Sequence, residues 1–321
     1  MHAIVLTAFG GPENLSLQEV PEPMPGEGEV LVELAATGVN FVEIYQRIGR
    51  YPGPLPRVLG SEGAGTVVAV GPGVTTVQVG DRVASSSFQG AYAPLAVVAA
   101  DRVVPVPDGV ELQVAAAALL QGMTAHYLVF DVYPVRSGDT VVVHAAAGGV
   151  GLLLTQIATR LGARVIATVS TEAKAELALA AGAVEAIRYG DGVDVAAQVR
   201  RLTDGQGVPA VYDGVGAATF EASLASLRPR GMLALFGAAS GPVPPFDLQR
   251  LNAGSLFVTR PSLGHYTASP EEMLRRAGDI FDFIADGVDV RIHHRYPLAD
   301  AAQAQIDLAS RRTTGKLLLV S

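Results

Sequence analysis

The stretch VVVHAAAGGVGLLLTQIATRLGARVIATVS, from Val141 to Ser170, constrains this chain more than any other. A β-branched run leads into small residues, a helix-forming segment follows, and a second apolar run closes it. Strand, glycine turn, helix and strand in that order make one crossover unit of a parallel, doubly wound sheet. Ala145, Gly148 and Gly151 keep the spacing of the G-x-G-x-x-G class, with alanine in the first place. Without side chains there, amides around Gly148, Gly149, Val150 and Gly151 can approach a pyrophosphate, whose charge a helix N-terminus favours. A tight turn with no ligand would use similar residues; the full strand–turn–helix–strand context is what points to a dinucleotide.

The end of the second strand selects the cofactor. An NAD site usually places Asp or Glu there to hold the ribose 2′-hydroxyl. Here the strand runs out through Ser170 and Thr171, with Glu172 a step later and Lys174 after it. Two hydroxyls and an ammonium suit a 2′-phosphate, since each donates a hydrogen bond and lysine adds the opposite charge. NADPH is therefore expected. The competing reading is that Ser170 or Thr171 caps the next helix and Lys174 is solvated.

Around this unit the texture changes once. Up to about residue 120, short β-rich runs alternate with proline- and glycine-rich stops such as PEPMPGEGE and PVPDGVE. Beyond it, helical runs alternate with apolar strands, expected at 140–145, 164–169, 186–189, 210–213, 232–236 and 255–259. A helical stretch over 271–286 and a closing strand over 316–320 are expected to return to the first domain. No apolar run reaches the about 18 residues of a membrane span, and the N-terminus lacks the layout of a signal peptide. Together with the absence of cysteine, this points to the cytoplasm. The same absence excludes disulfides and thiolate metal sites. A formal charge of −8 with scattered basic residues argues against nucleic acid and membrane surfaces, leaving a small molecule as partner.

Further segments carry a family resemblance. GVNFVEIYQRIGRYP from Gly38, GSEGAGTVVAVG from Gly60, VGDRV from Val79, VYDGVG from Val211, FGAASG from Phe236 and VTRPSL from Val258 join HAAAGGVG. With them the chain resembles the zeta-crystallin-like quinone oxidoreductase branch of the zinc-independent medium-chain dehydrogenase/reductase superfamily, nearly end to end. The resemblance implies a GroES-like β-rich catalytic domain over 1–122 and 264–321, and a Rossmann domain over 123–263, with nicotinamide meeting substrate in a cleft between them. It implies cofactor contacts at Asn40, Tyr45, Thr124 and Tyr127, and at Gly149, Val150, Ser170, Lys174, Tyr189, Val215, Phe236, Ser240, Ser262 and Leu263. It also implies a homodimer through the edge strand at 255–259.

Alcohol dehydrogenases of that superfamily hold zinc through a cysteine and a histidine where this chain has Asn40 and Ser61, which are poor zinc ligands, so no metal is expected. Without a Lewis acid, the expected chemistry is hydride delivery to an already electron-poor acceptor, a quinone. Tyr45 and Arg47 are the expected donors to the developing oxyanion. Two alternatives stand beside this: an enone or alkenal reductase of the same fold, and an NADPH-dependent RNA-binding protein, which the acidic balance disfavours. His144, at the end of the first Rossmann strand, is expected to be packed and hydrogen-bonded rather than a base.

Overall fold

The computed structural model describes residues 1–190 and 192–320. The chain divides into two compact units, Met1–Met123 together with the segment from Ala268 onward, and Thr124–Thr267.

The first unit is built on β-strands. It contains β1 (His2–Leu6), β2 (Leu15–Glu19), β3 (Glu29–Val39), β4 (Arg57–Val58), β5 (Gly63–Val70), β6 (Arg82–Ser85), β7 (Leu95–Ala99) and β8 (Val104–Pro105). The 11-residue β3 is its spine, pairing antiparallel with both β5 and β7. Its alternating apolar residues Val30, Val32 and Leu34 meet Val67, Val83 and Val98 in one core, as the period of two in a strand requires. A short helix, α1 (Phe41–Arg47), leaves directly from the end of β3. Asn40 precedes it in extended conformation and its backbone N–H donates to Glu43 Oε2 at 2.9 Å, half of a capping box.

A long helix, α2 (Leu112–Tyr127), and one π-turn, Leu128–Val132, carry the chain into the second unit. The 21 residues 112–132 pass as a membrane span by length and mean hydropathy, although Gln113, Gln121, His126 and Asp131 interrupt the apolar run. Their composition answers to burial instead: Ala115 to Leu119 are wholly enclosed.

The second unit holds β9 (Thr140–His144), α3 (Gly149–Arg160), β10 (Arg164–Val169), α4 (Glu172–Ala180), β11 (Glu185–Arg188), α5 (Val195–Leu202), β12 (Val208–Asp213), α6 (Phe220–Ser226), β13 (Leu227–Leu235), β14 (Phe257–Thr259) and α7 (Leu263–Tyr266). The six strands pair in parallel in the order β11-β10-β9-β12-β13-β14. This is the doubly wound order of a dinucleotide-binding fold, which reverses direction beside β9. Val142, Ile166, Val211 and Leu233 from adjacent strands fill one side of it. The chain is back in the first unit from α8 (Pro270–Ala285) onward, through β15 (Ile292–Pro297), α9 (Ala301–Ala309) and β16 (Lys316–Val320), and β16 pairs antiparallel with the end of β3.

Candidate active site

The glycine turn follows β9 directly. Gly148 is the N-cap of the 12-residue α3, so the first-turn amides of Gly149, Val150 and Gly151 have no acceptor within the helix. A Cβ on Gly151 would lie 2.4 Å from the Ala145 carbonyl oxygen and 2.7 Å from Ala146 Cα, so glycine alone fits. Ala145 itself has φ of 51°, in the left-handed region that favours glycine. The cradle is shaped for close approach to a phosphate group.

At the end of β10 both competing expectations hold in part. Thr171 caps α4, its Oγ1 accepting from Lys174 N at 3.3 Å. Ser170 is exposed, and Lys174 Nζ reaches its Oγ at 3.5 Å. Glu172, a carboxylate that would compete for a ribose hydroxyl, is paired with Arg188 at 2.9 Å. Arg188 was not among the expected contacts. It enters because β11 runs parallel to β10 and sets Arg188 opposite Val169, with Tyr189 N on Val169 O at 2.9 Å. Ser170, Lys174, Arg188 and Tyr189 therefore gather at neighbouring strand ends, and the only sequence clue to Arg188 was its place beside Tyr189.

Three strand ends are tied together beneath this face. Asp213, fully buried at the end of β12, takes the N–H groups of Val215 (2.8 Å) and Gly216 (3.1 Å) on Oδ1. Its Oδ2 accepts from Thr219 Oγ1 (2.7 Å) and Ser223 Oγ (2.8 Å). Ser223 has one proton and gives it to Asp213, so His144 Nε2 must donate to Ser223 Oγ at 3.0 Å, leaving Nδ1 to accept from Thr168 Oγ1 at 2.7 Å. Burial lowers the pKa of His144, with Asp213 opposing, which suits a neutral ring. The trio holds a serine, a histidine and an aspartate but no nucleophile, because Ser223 is enclosed and bridges the other two. It fixes the 213–216 turn, and that turn receives Ser240, whose backbone N and Oγ both donate to Val215 O at 2.8 Å. Phe236 follows, with N on Asp213 O at 2.9 Å. Tyr127 stacks on Tyr266 at 4.4 Å and 6°, near in sequence to Thr124, Ser262 and Leu263.

In the first unit Tyr45 lies edge-on to Tyr51 at 5.6 Å, with the Arg50 guanidinium 4.7 Å from its ring centre. Arg47 requires a correction. The residue is 5% exposed, with Nε donating to Gln305 Oε1 at 2.7 Å and Nη1 to Gly10 O at 2.5 Å. Those bonds hold α1 against α9 and the segment after β1, and a group spent in this way is not a donor to a substrate oxyanion. Asn40 is also fully engaged: Nδ2 donates to Glu62 Oε2 at 3.0 Å and Oδ1 accepts from Lys316 Nζ at 2.5 Å. Lys316 Nζ bonds Glu62 Oε2 at 2.5 Å as well, inside the protein. An ammonium thus stands beside the positions that in zinc relatives bind metal, and two cations cannot share them. Neither Glu62 nor Lys316 was expected; a lone lysine opening the apolar strand KLLLV was the only hint.

The comparisons with known proteins agree with this geometry. Residues 26–108 match the alcohol dehydrogenase GroES-like domain, and residues 149–279 match a model described as zinc-binding dehydrogenase. A quinone oxidoreductase of Pseudomonas aeruginosa is 47% identical over 321 residues, covering 99% of this chain and 98% of the relative. The chain belongs to the quinone oxidoreductase family. Another member, a mycobacterial protein solved in complex with NADPH, superposes with a TM-score of 0.98 at 56% identity, over 100% of both chains. A 2-haloacrylate reductase of Burkholderia is 41% identical over 329 residues, covering 99% of this chain and 98% of its own. Family membership therefore spans acceptors of more than one kind on one scaffold.

Proposed function

We propose that this chain is an NADPH:quinone oxidoreductase that works without zinc. The observation that carries the reading is the pair of polar clusters: donors Ser170 and Lys174 with Glu172 neutralised by Arg188, and the Lys316 ammonium bonded to Asn40. The first suits a 2′-phosphate. The second removes the means of polarising an alcohol, which leaves acceptors that are already electron-poor.

When bound, NADPH supplies hydride. The chain's own residues do the rest. Gly148 to Gly151 seat the pyrophosphate on the α3 N-terminus, and Ser170, Thr171, Lys174 and Tyr189 take the adenosine end. Val215, Phe236, Ser240, Ser262 and Leu263, with Thr124 and Tyr127, orient the nicotinamide end, and Asn40, its amide held by Glu62 and Lys316, serves there by packing alone. Tyr45 is the donor to the developing oxyanion. Holding the partners in reacting geometry and excluding water supplies much of the rate by itself. In this reading residues 1–122 and 264–321 form the catalytic domain and 123–263 the cofactor domain. Two copies pair through β14, a short edge strand with Phe257 54% exposed, and the enzyme works in the cytoplasm.

A second reading has an observation in its favour: one relative is a 2-haloacrylate reductase, and a haloacrylate is a conjugated acceptor, so an enone is the alternative acceptor. The test is the oxidation of NADPH and of NADH, side by side, with 1,4-benzoquinone, a bulkier naphthoquinone and a simple enone. Turnover with NADPH and quinones is expected. Equal rates with NADH would overturn the 2′-phosphate assignment, and reduction of the enone alone would move the chain to the second reading.

A further inference from the structure

The core of the first unit encloses two carboxylates and one ammonium. Glu43, Glu62 and Lys316 are each at most 1% exposed. Glu62 is compensated: Oε2 bonds Lys316 and Asn40, and Oε1 accepts from Leu120 N at 2.7 Å. Among the described residues, no cation is in bonding contact with Glu43. Its two oxygens accept from Asn40 N at 2.9 Å and from Ser61 Oγ at 2.8 Å. With all three groups ionised the cluster would hold one surplus negative charge out of water, and burial pushes the pKa of Glu43 up to about 7. The groups facing it are Ser61 and Glu62 from the segment before β5, Lys316 from β16, the buried phenol of Tyr92, and Arg47 beyond that phenol. Lys316 lowers the pKa, Glu62 raises it, and desolvation outweighs both.

Ser61 differs from the rest of this cluster in being partly exposed. Its hydroxyl is the link between the enclosed carboxyl and the outside. Quinone reduction needs such a link, because hydride brings two electrons and one proton while the hydroquinone carries two protons. We propose that Glu43 stores the second proton and that Ser61 hands it to the reduced acceptor. This rests on the reductase reading above. When Glu43 carries the proton, its hydrogen bond with Ser61 runs the other way from the carboxylate form, Glu43 O–H donating to Ser61 Oγ. The Glu43 O–H bond breaks as Ser61 Oγ takes that proton, the Ser61 O–H bond breaks as its own proton forms an O–H bond on the substrate oxyanion, to which Tyr45 donates a hydrogen bond but no proton, and Glu43 is left as carboxylate. Water reprotonates it through Ser61 before the next turnover.

The acid form is the active one, so kcat falls as pH rises through about 7. The test compares kcat from about pH 6 to about pH 8.5, with NADPH and 1,4-benzoquinone, in the wild type, Glu43→Gln and Ser61→Ala. Glutamine keeps the acceptor for Asn40 N but holds no transferable proton; alanine leaves the store intact and cuts the exit. Both variants should lose the fall near neutrality and run about a hundred-fold slower at the acid end, at the low edge of what general acids contribute. A flat wild-type profile, or a fall that survives in either variant, overturns the relay. Infrared titration of the cofactor-free wild type supplies a readout that needs no turnover. A protonated-carboxyl band should vanish as pH rises through about 7, persist in Ser61→Ala and be missing from Glu43→Gln. Absence of that band from the wild type at the acid end overturns the proton store. If instead the wild type oxidises NADPH with no quinone, the reductase reading fails, and the infrared result still decides whether the store exists.

Discussion

The nucleotide face of the second unit and the buried cluster of the first solve opposite problems. The turn at 145–151 removes side chains so that backbone can do the binding, and all of it lies within seven consecutive residues. The cluster of Asn40, Glu43, Ser61, Glu62 and Lys316 does the reverse. It sinks three ionisable groups into an apolar core, drawing them from three separate segments. Shape carries the first region and charge balance the second. A loop of small residues tolerates a change by losing affinity, whereas a buried ion pair that loses one member leaves a charge with no partner.

That contrast can be broken most forcefully at Lys316. Lys316→Met leaves Glu62 without its counter-ion, and the expected cost is about 3–5 kcal/mol of unfolding free energy, read by denaturant melts. Adding Glu62→Gln to that variant should recover much of the loss. If the double variant is no better than the single, the pair is not acting as a charge couple.

The cofactor end should respond more gently and without loss of fold. Replacing Ser170 and Lys174 together by alanine should weaken NADPH by about ten- to thirty-fold, on the order of 2 kcal/mol, and leave NADH almost untouched. Titration of both cofactors by fluorescence decides it; a parallel loss for NADH would show that the pair only caps and packs.

The smallest effect sharpens the shape argument. Ala145→Gly should stabilise the chain by about 1 kcal/mol, since alanine at φ of 51° is strained where glycine is not. A melting temperature that falls would mean that the entropy glycine adds to the unfolded chain outweighs the strain it relieves.

Features written in consecutive residues were legible from the sequence. The six parallel strands at 140–145 through 255–259 emerge close to those positions, because apolar runs separated by helical crossovers admit few topologies. The glycine turn, the hydroxyl and lysine after β10, and the unsuitability of Asn40 and Ser61 for zinc are equally local. Arg47 shows where such reading ends. A donor two residues from Tyr45 belongs to the same segment, yet a helix turns by about 100° per residue, and only the position of α9 decided that Arg47 meets Gln305.

The sequence by itself determined the doubly wound unit, the β-rich unit and the class of cofactor, since each depends on local periodicity, small residues and strand-end chemistry. Tertiary structure alone decided that Lys316 meets Asn40 and Glu62, that Arg188 neutralises Glu172, and that Glu43 is enclosed with Ser61 as its outlet. Those contacts join residues up to 276 positions apart. Their energies come from burial and charge, which no local pattern encodes, because the dielectric around a side chain is set by whatever the fold packs against it.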